Sequence, residues 1–464
     1  MSDISPQHAV ERALAAATSD DCIVIADEGS AANLRWAGNS LTTNGVSRSR
    51  QLTVVAITRS GNDARVGVVS RAGVRSDQIA DVVAEAEAAS AGAAPAEDAQ
   101  SLVDANPASG VGWDDPPAET EIGVFSSFAA ELGIAFATAA SNGRKLYGFA
   151  EHEMTSSYIG TSSGLRLRHD QPSGRLELNA KSADLATSAW AGTGTRDFGD
   201  VDVTLMEADL AQRLDWAKRS VSLPAGRYET LLPPTAVADL LIYLYWSSGA
   251  KDALDGRTVF SKPGGGTRVG EQLASLPLSL YSDPAEPGLQ CAPFVVAHAS
   301  SRESSVFDNG LPTRRTDWIS AGTLGALIQT RHTAGLSGLP VTPAIDNLVL
   351  TAQGAAGSIA DMVSRTSRGL LLTCLWYIRE VDPQTLLLTG LTRDGVYMVE
   401  NGEVTGAVNN FRFNESPVAM LGRITEAGAT VPTLPREWSD YFRRAAMPPV
   451  RVEGFNMSSV SQAS

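Results

Sequence analysis

The sequence predicts an α+β fold: a small N-terminal helix and antiparallel-sheet domain, then a larger, strand-rich C-terminal domain, mainly an antiparallel sheet or open barrel. Three observations lead there. The first 92 residues alternate a helical period, short β-rich pieces and a second helical period. A stretch rich in Ala, Pro, Gly and Asp follows at 93–120, without periodicity. Beyond Gly264-Gly265-Gly266 the chain breaks into many short β-rich pieces separated by Gly, Pro and Asp.

Each element has a local reason. Ser5 can cap a helix and Pro6 suits its first turn, and Val10, Ala13, Leu14 and Ala17 then recur on one face. Cys22–Ala26, Leu34–Ala37, Leu52–Thr58 and Arg65–Ser70 read as strands, the last two joined by a Ser60-Gly61-Asn62-Asp63 turn. Ser76 caps a second helix bearing Ile79, Val82, Val83 and Ala86. Together these form an N-terminal domain over 1–92, with 93–120 as a linker or exposed excursion. A central α+β region follows over 121–222, with helices at 123–140 and 207–219 and strands near Tyr158 and Leu165–His169. The C-terminal β-rich domain over 223–464 opens with the strand Tyr228–Leu232. Pro233-Pro234 then leads into a helix whose Val237, Leu240, Leu241 and Leu244 form an apolar stripe.

Composition narrows the function. The 464 residues are 43% hydrophobic and 19% charged, which describes a chain able to build sizeable cores. Its 37 Lys+Arg against 52 Asp+Glu give a net charge of −15, and such a surface repels nucleic-acid phosphates and anionic lipid. The longest uninterrupted apolar run is Leu240–Trp246, too short to span a bilayer, and the N-terminus has no signal-peptide pattern. The three cysteines, Cys22, Cys291 and Cys374, are far apart and form no C-x-x-C. The expectation is a cytoplasmic protein that binds neither nucleic acid nor membrane.

No motif assembles a catalytic centre. Gly160-Thr161-Ser162-Ser163-Gly164 fits G-x-S-x-G, but Leu165-Arg166-Leu167-Arg168 then alternates as a strand does, where a nucleophile elbow requires a helix. His152-Glu153 opens like H-E-x-x-H, yet positions 156 and 157 are serine. His8, His152, His169, His298 and His332 share no helical spacing. Gly264-Gly265-Gly266 with Gly270 matches no phosphate loop, and Asp114-Asp115 lies in a Pro-rich stretch typical of solvated carboxylates.

Three stretches resemble the TldD/PmbA family, whose complexes are peptidases acting on unfolded or modified peptides. They are NLRWAGNSLTTNGVSRSRQLTVVAI from Asn33, SVFDNGLPTRRTDWISAGTLGALI from Ser305, and RGLLLTCLW with VDPQTLLLTGLTRDGVYMVENGEVTGAV from Arg368 onward. The TldD branch of that family carries H-E-x-x-x-H on a helix and a later Cys, which bind zinc. Here the corresponding helix reads Thr235-Ala236-Val237-Ala238-Asp239-Leu240, and the segment NNFRFNESPVAMLGRIT, where the Cys belongs, has none; Cys374 lies upstream. Thr, Ala and Leu supply no zinc ligand. The resemblance is therefore to the PmbA (TldE) branch. It implies a catalytically inert subunit without catalytic or metal residues of its own, a zinc-bearing TldD-type partner and an extended peptide substrate.

Phe307-Asp308-Asn309-Gly310 lies in a segment read as strand-rich, which could offer a sheet edge to such a peptide or simply be core or dimer contact. Two other readings stand beside the first: a self-sufficient hydrolase using Ser162 or a dispersed metal site, and a homo-oligomeric peptide-binding protein.

Overall fold

The computed structural model describes residues 4–61, 63–105, 109–393 and 395–461. It is an α+β fold on three sheets. Helix α1 (Pro6–Ala16) starts as its cap predicts: the His8 N–H donates to Ser5 Oγ, and Ala9, Val10 and Ala13 are buried. Strands β1 (Asp21–Trp36), β2 (Leu41–Ser60) and β3 (Asp63–Ala72) and helix α2 (Ile79–Gly92) follow. Asn62, in the expected turn between β2 and β3, lies outside the described residues.

These strands far outrun the short apolar pieces that marked them. β1 and β2 pair from Asp21↔Ile57 to Asn33↔Gly45, through the exposed Ser47, Arg48 and Ser49. An antiparallel ladder is held by its backbone and needs apolar side chains only where a face is covered. Apolar runs therefore mark the covered part of a strand and miss its wet extension.

Helix α3 (Ser126–Ser141), strands β4 (Arg144–Thr161), β5 (Arg166–Ser182) and β6 (Ser188–Thr195), and helix α4 (Val203–Trp216) complete the first half. β1 pairs with β4 from Ile23↔Thr161 to Trp36↔Gly148. Residues 1–92 and 121–222, separated in the sequence reading, thus share one six-stranded sheet in the order β3-β2-β1-β4-β5-β6. The intervening excursion is fastened to it: Trp113 packs edge-on to Tyr158 at 5.7 Å, and the Thr120 N–H donates to Ser30 Oγ at 2.8 Å. Sequence spacing carries no information about such long-range pairing. Ile122–Ser141 is apolar and long enough by composition to cross a membrane. Phe125, Phe128, Leu132, Ala135 and Ala139 are buried in the core, while Ile122 and Ile134 are exposed among mostly small residues on the outer face.

The second half begins with β7 (Ser220–Val221), β8 (Gly226–Leu232) and helix α5 (Pro234–Trp246). β8 sits inside a ten-stranded sheet, antiparallel to Val450–Val460 and parallel to Arg368–Leu372. A six-stranded sheet runs from Thr323–Leu324 to Val431–Thr433. The pairings are mainly antiparallel, with parallel ladders at Leu348↔Ala445, Leu370↔Thr230 and Ala407↔Ser220. Pro234 starts α5 where a missing N–H costs nothing. Residues Ala236 through Ile242 are all buried, so this helix runs through the main core rather than along a surface.

Candidate functional site

A cleft of about 1190 Å³ opens where the two halves meet at the start of α5. One wall is β6 with Trp190 and Gly192, and another is α4 with Met206 and Arg213. The floor is Pro233-Pro234-Thr235, and the edge Val431–Thr433 closes it. A second hollow of about 480 Å³ continues along α4, sharing Gln212, Arg213 and Pro233. Asp202 caps α4 by accepting the Leu205 N–H at 2.8 Å, which sets the direction of that wall. Arg213 is ion-paired with Asp209 and donates to the Trp190 carbonyl at 2.8 Å, tying α4 to β6.

The start of α5 is the stretch that the resemblance sets against the zinc-binding helix of the TldD branch. Thr235 Oγ1 donates to the Leu434 carbonyl at 2.7 Å. Ala236 contributes a methyl group. Asp239 is fully buried: its Oδ1 accepts the Glu437 N–H at 2.8 Å, and its Oδ2 has no hydrogen-bond partner. Burial pushes this carboxyl well above the usual carboxylate range, with the nearby Glu437 charge adding to the shift. Thr235, Ala236 and Leu240 supply no imidazole, thiolate or carboxylate. Among the described residues no three His, Cys, Asp or Glu side chains gather to hold a metal ion. Burial also pushes the Cys22 thiol up to about 12 and that of Cys291 to about 11, away from the thiolate a metal needs. The donor set of α5 does not fit zinc.

The other sequence-derived positions are scattered. Ser162 lies in the turn joining β4 to β5, where its Oγ accepts the Cys22 N–H at 3.0 Å. That turn connects strand to strand, so the geometry of a nucleophile elbow is absent. His152 and Glu153 lie on β4, not on a helix. His152 Nε2–H donates to the Arg196 carbonyl at 2.8 Å and Nδ1 accepts from Thr120, while burial lowers its pKa. Burial also lowers that of His169, which faces Gln171 at 3.1 Å. His298 reaches back to Asp27 on β1 at 2.7 Å. Asp114-Asp115 lies in a turn, and Gly264, Gly265 and Gly266 form an exposed one with positive φ.

The segment Phe307-Asp308-Asn309-Gly310 is not a strand: Val306–Asp308 is a 3-10 turn, and all four residues are buried. Asp308 is ion-paired with Arg331 at 2.6 Å. Asn309 accepts the Ala297 N–H at 2.6 Å and donates to the Ala297 and Val306 carbonyls. These side chains knit the loops together, and the geometry here is internal rather than that of an open sheet edge.

One grouping left no mark in the sequence. Arg436 lies between Trp376 and Trp190, its guanidinium carbon 3.8 and 5.3 Å from the ring centres. Three residues from distant segments cannot announce themselves by spacing.

Residues 225–459 match the family model described as the PmbA/TldA metallopeptidase C-terminal domain. No curated protein matches the sequence. Several solved structures share the fold. TldE from Thermococcus kodakarensis superposes with a TM-score of 0.78 at 16% identity, over 97% of this chain and 99% of its own. A protein of Thermotoga maritima MSB8, described as a candidate modulator of a DNA gyrase, gives 0.75 at 17%, over 97% and 99%. A Bacteroides thetaiotaomicron VPI-5482 protein of similar description gives 0.74 at 14%, over 98% of each chain. At these identities the likeness is one of fold.

Proposed function

Because this chain belongs to the PmbA/TldD metallopeptidase family, we propose that it is the non-metal subunit of a heteromeric peptidase. Its partner is then a homologous TldD-type chain that carries the zinc, and the complex acts in the cytoplasm on unfolded or modified peptides. The observation that carries this reading is the start of α5. Thr235, Ala236 and Leu240 stand where zinc ligands and a base would be required, and the one acidic residue there, Asp239, is buried and bonded to the Glu437 backbone. The helix keeps its packing role through Val237, Leu240, Leu241 and Leu244. In this reading no side chain of the chain acts as nucleophile, base or metal ligand. Its contribution is the shape of the shared peptide cleft and the interface that holds the partner.

Co-expression with a TldD-type chain bearing H-E-x-x-x-H tests the proposal. The expected result is a co-purifying complex that hydrolyses an unstructured peptide, while neither chain does so alone. Two separate homo-oligomers, or hydrolysis by this chain by itself, would overturn it.

A further inference from the structure

Two hollows in the C-terminal half adjoin at one carboxylate. The first, about 270 Å³, is lined by Phe294, Val296, Ser305 and Asp308, and the second, about 350 Å³, by Tyr245, Trp246, Tyr441 and Phe442. Glu303, Ile345 and Asp346 line both. The other acids of these walls are matched: Asp308 pairs with Arg331 at 2.6 Å, and Asp346 pairs with Arg444. Glu303 differs. Among the described residues no lysine, arginine or histidine pairs with it, and its Oε2 accepts only a long 3.4 Å hydrogen bond from the Ser301 hydroxyl. The neighbouring cation, Arg302, is taken by Asp252, at 2.5 Å, and by Asp255. Burial, and then the Asp252 charge, push the Glu303 carboxyl above the ordinary glutamate range, and the pull of Arg302 is the weaker effect. A half-buried carboxylate in that state gains from a cation that comes to it.

The second hollow gives that carboxylate an aromatic flank. Trp246, the last residue of α5, and Tyr441 are both exposed there. The Trp246 ring packs edge-on to Trp438 at 5.2 Å and to Phe442 at 6.3 Å. The Tyr245 hydroxyl is fixed between the N–H and the carbonyl of Ile345, at 2.8 and 3.0 Å. Glu303 is held too: its Oε1 lies so close to Gly249 that a Cβ there would come within 3.0 Å of it. Carboxylate and rings are thus in place before any ligand arrives, which lowers the ordering cost of binding.

We infer that the hollow at Glu303 binds a primary ammonium carried on an apolar body, with the ammonium on the Glu303 carboxylate and the body among Trp246, Tyr441 and Phe442. An ammonium donates charge-assisted hydrogen bonds to a carboxylate, and aromatic faces attract both its charge and the apolar matter that carries it. Such a group is found on a small free amine and at the N-terminus of a peptide whose first side chain is apolar. The site lies within this chain alone, so it stands or falls independently of the heteromeric reading.

Calorimetric titration of the full chain tests it, with 2-phenylethylamine against 2-phenylethanol and with a tetrapeptide beginning in phenylalanine, as free amine against its N-acetyl form. The expected result is saturable binding of an amine ligand, with its uncharged counterpart at least about tenfold weaker. Glu303→Gln, which keeps the side chain's shape and its Ser301 contact, should weaken binding at least about tenfold. Tyr441→Ala removes an exposed ring and should weaken binding several-fold at an unchanged melting temperature. Binding of phenylethylamine alone assigns the site to free amines, and binding of the peptide amine alone to a peptide N-terminus; either, or both, supports the inference. Failure of both amines to bind, equal affinity for charged and uncharged forms, or wild-type binding by either variant overturns it. The comparison of charged and uncharged ligands needs no variant, so it decides the matter even if Glu303→Gln fails to fold.

Discussion

Asp239 Oδ1 accepts the Glu437 N–H at 2.8 Å while its Oδ2 is buried without a partner, which ties α5 to the C-terminal segment through one half of a carboxyl group. Because burial raises its pKa, the folded state retains a proton that the unfolded chain loses near its ordinary value of about 4. The native state then binds more protons than the unfolded one, so this group's contribution is full below that pH and is lost as pH rises toward the folded pKa. Asp239→Asn keeps the acceptor and cannot ionise. It should raise the melting temperature more at pH 7.5 than at pH 4.5. Asp239→Ala, which strands the Glu437 N–H, should cost about 1–3 kcal/mol at either pH. Thermal melts of the variants at the two pH values check both outcomes.

His298 and Asp27 join a C-terminal loop to β1, and the hydrogen bond to Asp27 raises the histidine's pKa despite partial burial. A raised histidine pKa contributes stability that is full below about 6.5 and is lost as pH rises through the folded value. His298→Gln should therefore lower stability more at pH 5.5 than at pH 8.5. With the side chain 40% exposed, the effect is modest and weakens with salt. Denaturant titrations at the two pH values measure it; equal losses at both would contradict the assignment.

The purified chain should hold no stoichiometric zinc, because its α5 donor set does not fit the metal and no alternative cluster exists among the described residues. Elemental analysis after dialysis against a weak chelator reads this directly. About one zinc per chain would refute it.

Replacing Ser162 by Ala, or His152, His169, His298 or His332 by Gln, should leave peptidase activity of an assembled complex within a few-fold of normal. Ser162 accepts only a backbone N–H, and its loss should cost about 1 kcal/mol of stability. His152→Gln should be more destabilising, since both ring nitrogens are bonded in a buried site. Peptide hydrolysis measured on variants first shown to assemble would expose any error: abolition of turnover by one of them would make this chain an enzyme in its own right.

Gly67 lies where α2 crosses β3, and a Cβ there would come within 2.1 Å of the Ala86 carbonyl and 2.2 Å of the Ser90 N–H. Neither backbone atom can yield without shifting the helix. Gly67→Ala should lower stability by several kcal/mol, at the upper end for single substitutions, and a melting curve shows it.

By itself the sequence determined the α+β class, the starts of α1 and α5, and that Thr235, Ala236 and Leu240 at the start of α5 carry no metal-binding side chains. Those features are local: caps, prolines and helical periodicity act within a turn or two, and a missing imidazole is visible without coordinates. Only the tertiary structure decided that residues 1–92 and 121–222 share one sheet, because the choice of a strand's partner is set by long-range packing and not by its own pattern. It alone placed Phe307–Gly310, read as part of a strand-rich segment, in a buried stretch that opens with a 3-10 turn at Val306–Asp308, where Asp308 and Asn309 find their partners on Arg331 and Ala297. The clamp on Arg436 was beyond sequence for the same reason. Trp190, Trp376 and Arg436 are separated by long stretches of chain, and only the folded sheets bring the guanidinium close to both rings.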